Sequence, residues 1–111
     1  MSWKFVCNAA DVPENGMKQF DVDNVPVLLV HTEGSFFAIP PLCPHMEEPL
    51  VTGICDGPTL ICLKHLWQWD LPTGEPSGEA EVPLLKYEVR TEPDGSVHIL
   101  MDHELRYDYQ G

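Results

Sequence analysis

Short apolar stretches separated by turn residues run along almost the whole chain. Val27-Leu28-Leu29-Val30 is apolar at consecutive positions, which is typical of a strand buried on both faces in the centre of a sheet. Tyr87 to Glu92 alternates between apolar and polar positions, which indicates a strand with one face on a core and one in water. The pattern predicts strands at 19–22, 25–31, 35–39, 59–63, 66–70, 84–91 and 96–101.

Turn residues divide the chain into segments too short for most helices, because 11 Pro and 8 Gly are scattered through it. Hairpins are predicted at Thr32-Glu33-Gly34 and at Pro93-Asp94-Gly95. One helical turn is predicted at Asn8-Ala9-Ala10-Asp11, where Asn8 can cap it. The sequence therefore predicts an all-β protein, a sandwich or a barrel. A length of 111 residues fits one domain, 1–111.

The charge and the cysteines narrow the functional class. A formal net charge of −12 disfavours nucleic acid and anionic membranes as partners and favours basic protein surfaces. The sequence contains neither an apolar run of about 20 residues, which a membrane span needs, nor a secretory signal pattern. The four cysteines at positions 7, 43, 55 and 62 form no Cys-x-x-Cys pair and no dense disulfide spacing. We therefore expect a cytoplasmic protein whose partner is another protein.

Two cysteine–histidine pairs lie in the loop-rich middle of the chain, 40–83. They are Cys43-Pro44-His45 and Cys62-Leu63-Lys64-His65, with sixteen residues between His45 and Cys62. Each pair is short enough for one loop to bring a sulfur and an imidazole to the same metal centre. Two such loops side by side would supply four ligands.

This motif resembles the Rieske family, in which two Cys bind one iron of a [2Fe-2S] cluster and two His bind the other. The resemblance implies that Cys43, His45, Cys62 and His65 are the cofactor-binding and metal ligands. It also implies a Rieske-like antiparallel β-sandwich with a small cluster-binding subdomain, about 40–83, that has two ligand loops. A third loop beside the cluster is expected at 77–83.

The residues after the second histidine refine the resemblance. Ferredoxins of ring-hydroxylating dioxygenases usually have Gly there, whereas His65-Leu66-Trp67 is similar to the ferredoxins of toluene-type diiron monooxygenases. Trp67 also replaces a serine that donates to a cluster sulfur in respiratory Rieske proteins. We therefore expect a midpoint potential nearer the roughly −150 mV end of the Rieske range than the positive end.

The resemblance implies a monomeric electron carrier without catalytic residues of its own. It would take one electron from a flavin-containing reductase and deliver it to an oxygenase through transient docking. The alternatives are a ferredoxin of an aromatic ring-hydroxylating dioxygenase, a nitrite reductase small subunit and a zinc-binding module. Two Cys and two His also form a zinc set, although zinc fingers usually pair Cys with Cys and His with His.

The remaining candidates have simpler interpretations. Trp67 and Trp69 are predicted to pack in the core, and Glu47 and Glu48 are candidates for partner docking. The tail from Asp102 is polar and is expected to fray. Cys7 and Cys55 are expected to be small residues that are buried or half-buried, and the residues expected to be solvated are His31, His98 and His103.

Overall fold

The fold consists of antiparallel β-strands, as seen in a computed structural model that describes residues 3–44, 47–64, 66–77, 80, 82–107 and 109. Across these ranges the helical segments are two short 3-10 turns, Ala9–Asp11 and Leu50–Thr52. The described residues include no helix long and apolar enough to span a membrane. The all-β prediction is confirmed.

The strands form three antiparallel sheets. The first sheet has the order β1-β10-β9, with β1 at Trp3–Asn8, β9 at Glu88–Thr91 and β10 at Ser96–Leu100. The second sheet has the order β2-β3-β4, with β2 at Gly16–Val22, β3 at Val25–Thr32 and β4 at Ser35–Ile39. The third sheet has the order β5-β6-β7-β8, at Ile54–Asp56, Thr59–Cys62, Trp67–Asp70 and Pro76–Ser77.

The second sheet is the middle layer because its central strand contributes to two cores. Val27 and Leu29 pack with residues of the first sheet such as Val97. Leu28 and Val30 point the other way and join a second cluster with residues of the third sheet. The predicted central position of this apolar strand is thus confirmed, since β3 pairs with β2 and with β4.

Turn chemistry sets the register of the hairpins. Glu33 and Gly34 both have positive φ, 54° and 72°, between the paired residues Thr32 and Ser35. These angles belong to a type I′ turn, whose twist matches that of antiparallel strands. In the second predicted hairpin, Gly95 has a φ of 89°. Both predicted hairpins are confirmed.

The predicted strand at 84–91 is too long. Regular pairing begins at Glu88, and Tyr87 makes an isolated bridge to Ala38. The Leu84 N–H donates to the Gly74 carbonyl at 2.9 Å, and the Leu85 N–H donates to the Tyr107 hydroxyl at 3.0 Å. Because these two N–H groups bond outside a β-ladder, residues 84–87 form an irregular connection. This connection contacts the turn at Gly74, the C-terminal tail and β4.

The third sheet and the loop before it lie within the predicted subdomain, 40–83, whose limits remain a prediction. The buried Thr32 hydroxyl connects it to the middle sheet by donating to the Gly57 carbonyl at 2.5 Å. Because Gly57 lies in the turn between β5 and β6, this hydrogen bond joins two hairpin turns.

Candidate metal centre

The loop that carries Cys43 follows β4 and is closed by backbone pairing. Leu42 and Pro49 form an antiparallel bridge, and the Cys43 N–H donates to the Glu48 carbonyl at 2.9 Å. The Leu50 N–H also donates to the Pro41 carbonyl at 2.8 Å. Paired backbone on both sides places the buried Cys43 at the closed end of a short loop.

Cys62 is the last residue of β6 and pairs with Trp67, the first residue of β7. The connection is therefore the four-residue stretch 63–66, which ends at Leu66 with a φ of 59°. The strand predictions at 59–63 and 66–70 each included one residue too many. A positive φ is unfavourable in a strand, so Leu66 belongs to the turn. The Cys62 side chain is 2% exposed.

The structure brings the two predicted sulfur ligands into one apolar cluster. Cys43 and Cys62 both belong to the core that contains Leu28, Leu60 and Trp69. Neither forms a disulfide with another cysteine, and the structure describes all four cysteines. His45 and His65 lie outside the described residues, so the four-ligand set remains a prediction. Two buried soft donors at the closed ends of neighbouring loops fit the cysteine side of a Rieske cluster.

The expected third loop, 77–83, is attached to the same core. The indole N–H of the fully buried Trp69 donates to the Val82 carbonyl at 2.7 Å. Ala80 packs against the same cluster as Cys43 and Cys62. The core-packing prediction for Trp69 is confirmed, and its polar atom also secures the loop. Trp67 is half-buried, with its ring centroid 6.1 Å from that of Trp69.

Sequence analysis missed a contact from the C-terminal tail to this site. The Tyr109 hydroxyl donates to the Cys43 carbonyl at 2.6 Å. Tyr107 is buried and its ring is parallel to that of Tyr109, with centroids 6.2 Å apart. The prediction of a frayed tail is therefore wrong for the described tail residues. The sequence contains a signal for this packed tail. Leu105, Tyr107 and Tyr109 stand at every second position, and apolar residues with this spacing indicate an extended segment with one buried face.

The pKa values of both tail tyrosines are raised, so their hydroxyls stay protonated well above neutral pH. Burial, followed by the negative charges of Cys43 and Glu47, raises the pKa of Tyr109 to about 12. Burial is also the main cause that raises the pKa of Tyr107. Both groups therefore remain available as neutral hydrogen-bonding partners.

The other two cysteines are not part of this loop pair. Cys7 is buried in the core between the first and second sheets, and burial raises its pKa to about 11. Cys55 is half-buried on β5, and burial also raises its pKa. A thiol with a raised pKa is a poor nucleophile and a poor ligand at neutral pH. Their prediction as small, partly or fully buried residues is confirmed.

Two of the three histidines expected to be solvated make contacts within the fold. His31 donates from Nδ1 to the Val12 carbonyl at 2.8 Å and stacks on Phe36 with centroids 4.1 Å apart. His98 is partly buried and lies edge-on to Phe5 at 5.7 Å. His103 is exposed, as expected.

The surface around the two loops is partly apolar. Leu63 and Leu66 are 49% and 63% exposed and flank the second histidine in the sequence. Val51, Ile54 and Val82 are exposed as well. Exposed apolar side chains near the ligand loops of an otherwise acidic protein suit a contact surface.

Comparison with known proteins gives the same interpretation. The family profile described as a Rieske [2Fe-2S] domain matches residues 2–88. The methanesulfonate monooxygenase ferredoxin subunit of Methylosulfonomonas methylovora is 44% identical over 111 residues, which cover 99% of this chain and 89% of the relative. The ferredoxin component of the alkene monooxygenase system of Xanthobacter autotrophicus is 36% identical over 88 residues, which cover 78% of this chain and 72% of the relative.

A solved structure agrees as well. The complex of reduced oxygenase and oxidized ferredoxin in carbazole 1,9a-dioxygenase includes a chain that is 26% identical, with a TM-score of 0.79 over 94% of this chain and 97% of that chain. The predicted Rieske-like fold is confirmed, and both sequence relatives are ferredoxins of monooxygenase systems, in agreement with the resemblance noted above. The chain therefore belongs to the Rieske [2Fe-2S] domain family, and its cofactor is one [2Fe-2S] cluster.

Proposed function

We propose that the chain is a ferredoxin that carries one electron at a time from a flavin-containing reductase to an oxygenase. Cys43 and Cys62 would bind one iron of its cluster, and His45 and His65 would bind the other. One observation carries this assignment: two buried thiols lie in one core cluster, on two loops that each continue to a histidine.

The ligand set gives each part of the chain a chemical role. When bound, a Rieske cluster supplies a one-electron couple, and two neutral imidazoles in place of two thiolates raise its potential above that of a four-cysteine ferredoxin. Cys43 and Cys62 supply the thiolates from a dry part of the core. Trp69 and Leu60 exclude water from that side of the site. These residues hold the site in place, and the chain itself is an electron carrier and not a catalyst.

The surface supports transient docking to a protein. Exposed Leu63 and Leu66 offer an apolar contact next to the second histidine in the sequence, and Glu47 is an exposed residue of the first loop. A net charge of −12 would steer the chain toward a basic partner surface. The four cysteines show no dense disulfide spacing, which suits the reducing cytoplasm.

Two kinds of oxygenase are candidates for the acceptor. The two monooxygenase ferredoxins named above are 44% and 36% identical to this chain, and this favours a monooxygenase. The likeness to the carbazole 1,9a-dioxygenase complex makes a dioxygenase the second candidate.

The test of the ligand set uses the purified holoprotein. Wild type is expected to contain two irons and two sulfides per chain and to show the absorption and electron paramagnetic resonance of a Rieske cluster after reduction by one electron. Cys43→Ser and His65→Ala should abolish that signature. The matched controls Cys55→Ser and His103→Ala should keep it, because neither residue lies in the two ligand loops. A wild type without iron and sulfide, or a His65→Ala variant with an unchanged spectrum, would contradict the proposal.

A further inference from the structure

Three tyrosine hydroxyls connect the C-terminal tail to the body of the protein, and the last of them reaches the first ligand loop. The Leu105 N–H donates to the Tyr87 hydroxyl at 2.9 Å, next to the core between the first two sheets. The Leu85 N–H donates to the Tyr107 hydroxyl at 3.0 Å, and the preceding residue, Leu84, belongs to the cluster that contains Cys43 and Cys62. The Tyr109 hydroxyl then donates to the Cys43 carbonyl at 2.6 Å. The tail thus runs from the core between the first two sheets to the first ligand loop.

The hydrogen bond to Cys43 comes from a side chain that is held in position. The ring of Tyr109 lies within 4° of parallel to the ring of Tyr107, which is 5% exposed and packed into the protein. Tyr109 itself is 40% exposed, so removing its hydroxyl leaves no internal cavity. Its contribution near Cys43 is therefore mainly a polar one, the donation to the carbonyl of a predicted ligand.

We propose that Tyr109 is a positioning residue for the cluster, which holds the Cys43 peptide through its hydroxyl and raises the reduction potential of the site. This inference rests on the proposed role of Cys43 as a ligand. The peptide of Cys43 is held from two sides, since its N–H donates to Glu48 and its carbonyl accepts from Tyr109. Losing one of these two hydrogen bonds frees the backbone that places the sulfur.

The effect on the potential follows from the direction of the dipole. The hydroxyl proton points toward the Cys43 carbonyl oxygen, so the positive end of the O–H dipole faces the peptide of a predicted ligand residue and offsets part of the negative charge on that oxygen. Reduction adds one negative charge to the site, and a donor oriented in this way favours the reduced state more than the oxidised state. Removing the hydroxyl should therefore lower the midpoint potential.

The experiment compares holoprotein of the wild type, Tyr109→Phe and Thr52→Val. The matched control removes a similar bond, because the exposed Thr52 hydroxyl donates to the Pro49 carbonyl at 2.7 Å in the same loop region and does not bond to the Cys43 peptide. Tyr109→Phe is expected to change the reduction equilibrium by about threefold, which is a fall of about 30 mV for a one-electron couple. It should also release iron to a chelator about fivefold faster. Thr52→Val should leave the potential unchanged.

The midpoint potential of Tyr109→Phe decides whether the proposal for Tyr109 holds. If Tyr109→Phe has the wild-type potential, the proposal is overturned whatever the rate of iron release, because a purely structural tail would speed release without changing the potential. An equal fall in Thr52→Val would also overturn it. Failure of the proposed ligand set would appear earlier and separately, as a wild type without iron or a Cys43→Ser variant with an intact spectrum.

Discussion

Gly74 lies in the turn after β7, where two constraints exclude a side chain. Its φ is +77°, which is unfavourable for any residue with a Cβ. A Cβ built there would also lie 2.8 Å from the Leu84 carbonyl oxygen, closer than normal van der Waals contact. The Leu84 N–H in turn donates to the Gly74 carbonyl at 2.9 Å. Gly74→Ala would therefore push away the segment that ends the third loop.

Gly34 provides a matched control. Its φ is +72°, nearly the same as that of Gly74, but a Cβ there would have no neighbour within 4 Å. Alanine in this region costs about 1–2 kcal/mol, and the loss of unfolded-state freedom returns about 0.4–1 kcal/mol. Gly34→Ala should thus lower the stability by about 1 kcal/mol. The overlap at Gly74 adds about 1–3 kcal/mol of overpacking, for a total of about 2–4 kcal/mol.

The assay is thermal unfolding of the holoprotein at one scan rate, followed by circular dichroism and by visible absorbance. At about 4 °C per kcal/mol, Gly34→Ala should lower the apparent Tm by about 4 °C and Gly74→Ala by about 8–16 °C. The visible signal should be lost together with the fold in both variants. Equal shifts for the two variants would refute the contact between Gly74 and Leu84, because only backbone strain is common to both positions.

Two further predictions concern buried groups. Trp69→Phe should lower the free energy of unfolding by about 2 kcal/mol and speed proteolysis near Val82. The substitution removes the hydrogen bond to Val82 and part of a fully buried ring. An unchanged free energy of unfolding in denaturant would contradict this prediction. Cys7 and Cys55 should resist alkylation near neutral pH in the folded protein, since burial raises the pKa of both thiols, that of Cys7 to about 11. Because the folded-state pKa of Cys7 is raised, its contribution to stability is complete below the unfolded pKa near 9 and is lost as the pH rises toward 11. Mass spectrometry of the alkylated protein measures the resistance to alkylation, and unfolding at pH 8 and pH 10.5 measures the loss of stability. Rapid labelling of folded Cys7 at neutral pH would refute its buried state.

Local sequence patterns correctly predicted the elements whose conformation depends mainly on their own residues. The apolar run of β3 needs burial on both faces, and it obtains this by lying between two cores. Glu33-Gly34 adopts a left-handed turn that suits its two flanking strands. Strands β5 and β8, at Ile54–Asp56 and Pro76–Ser77, were not predicted because so few residues show no period, and pairing with β6 and β7 stabilises them.

Some features of the candidate site could also be predicted from local sequence, and others could not. The residue types and spacing of Cys43-Pro44-His45 and Cys62-Leu63-Lys64-His65 indicate metal binding, because both ligands of a loop are near neighbours in the sequence. The strand predicted from 84 failed because its first donors bond to Gly74 and Tyr107, which a local pattern does not show. The tail was predicted to fray because its polar residues were given more weight than the alternation of Leu105, Tyr107 and Tyr109.

The sequence by itself thus determined the fold class, the turns of the main hairpins and the candidate ligands, since each depends on residues within a few positions of one another. Only the tertiary structure decided that Cys43 and Cys62 share a core, that Trp69 secures the third loop and that Tyr109 contacts a peptide 66 positions earlier. Such contacts depend on how three sheets pack, and packing is a property of the whole chain that no short segment contains.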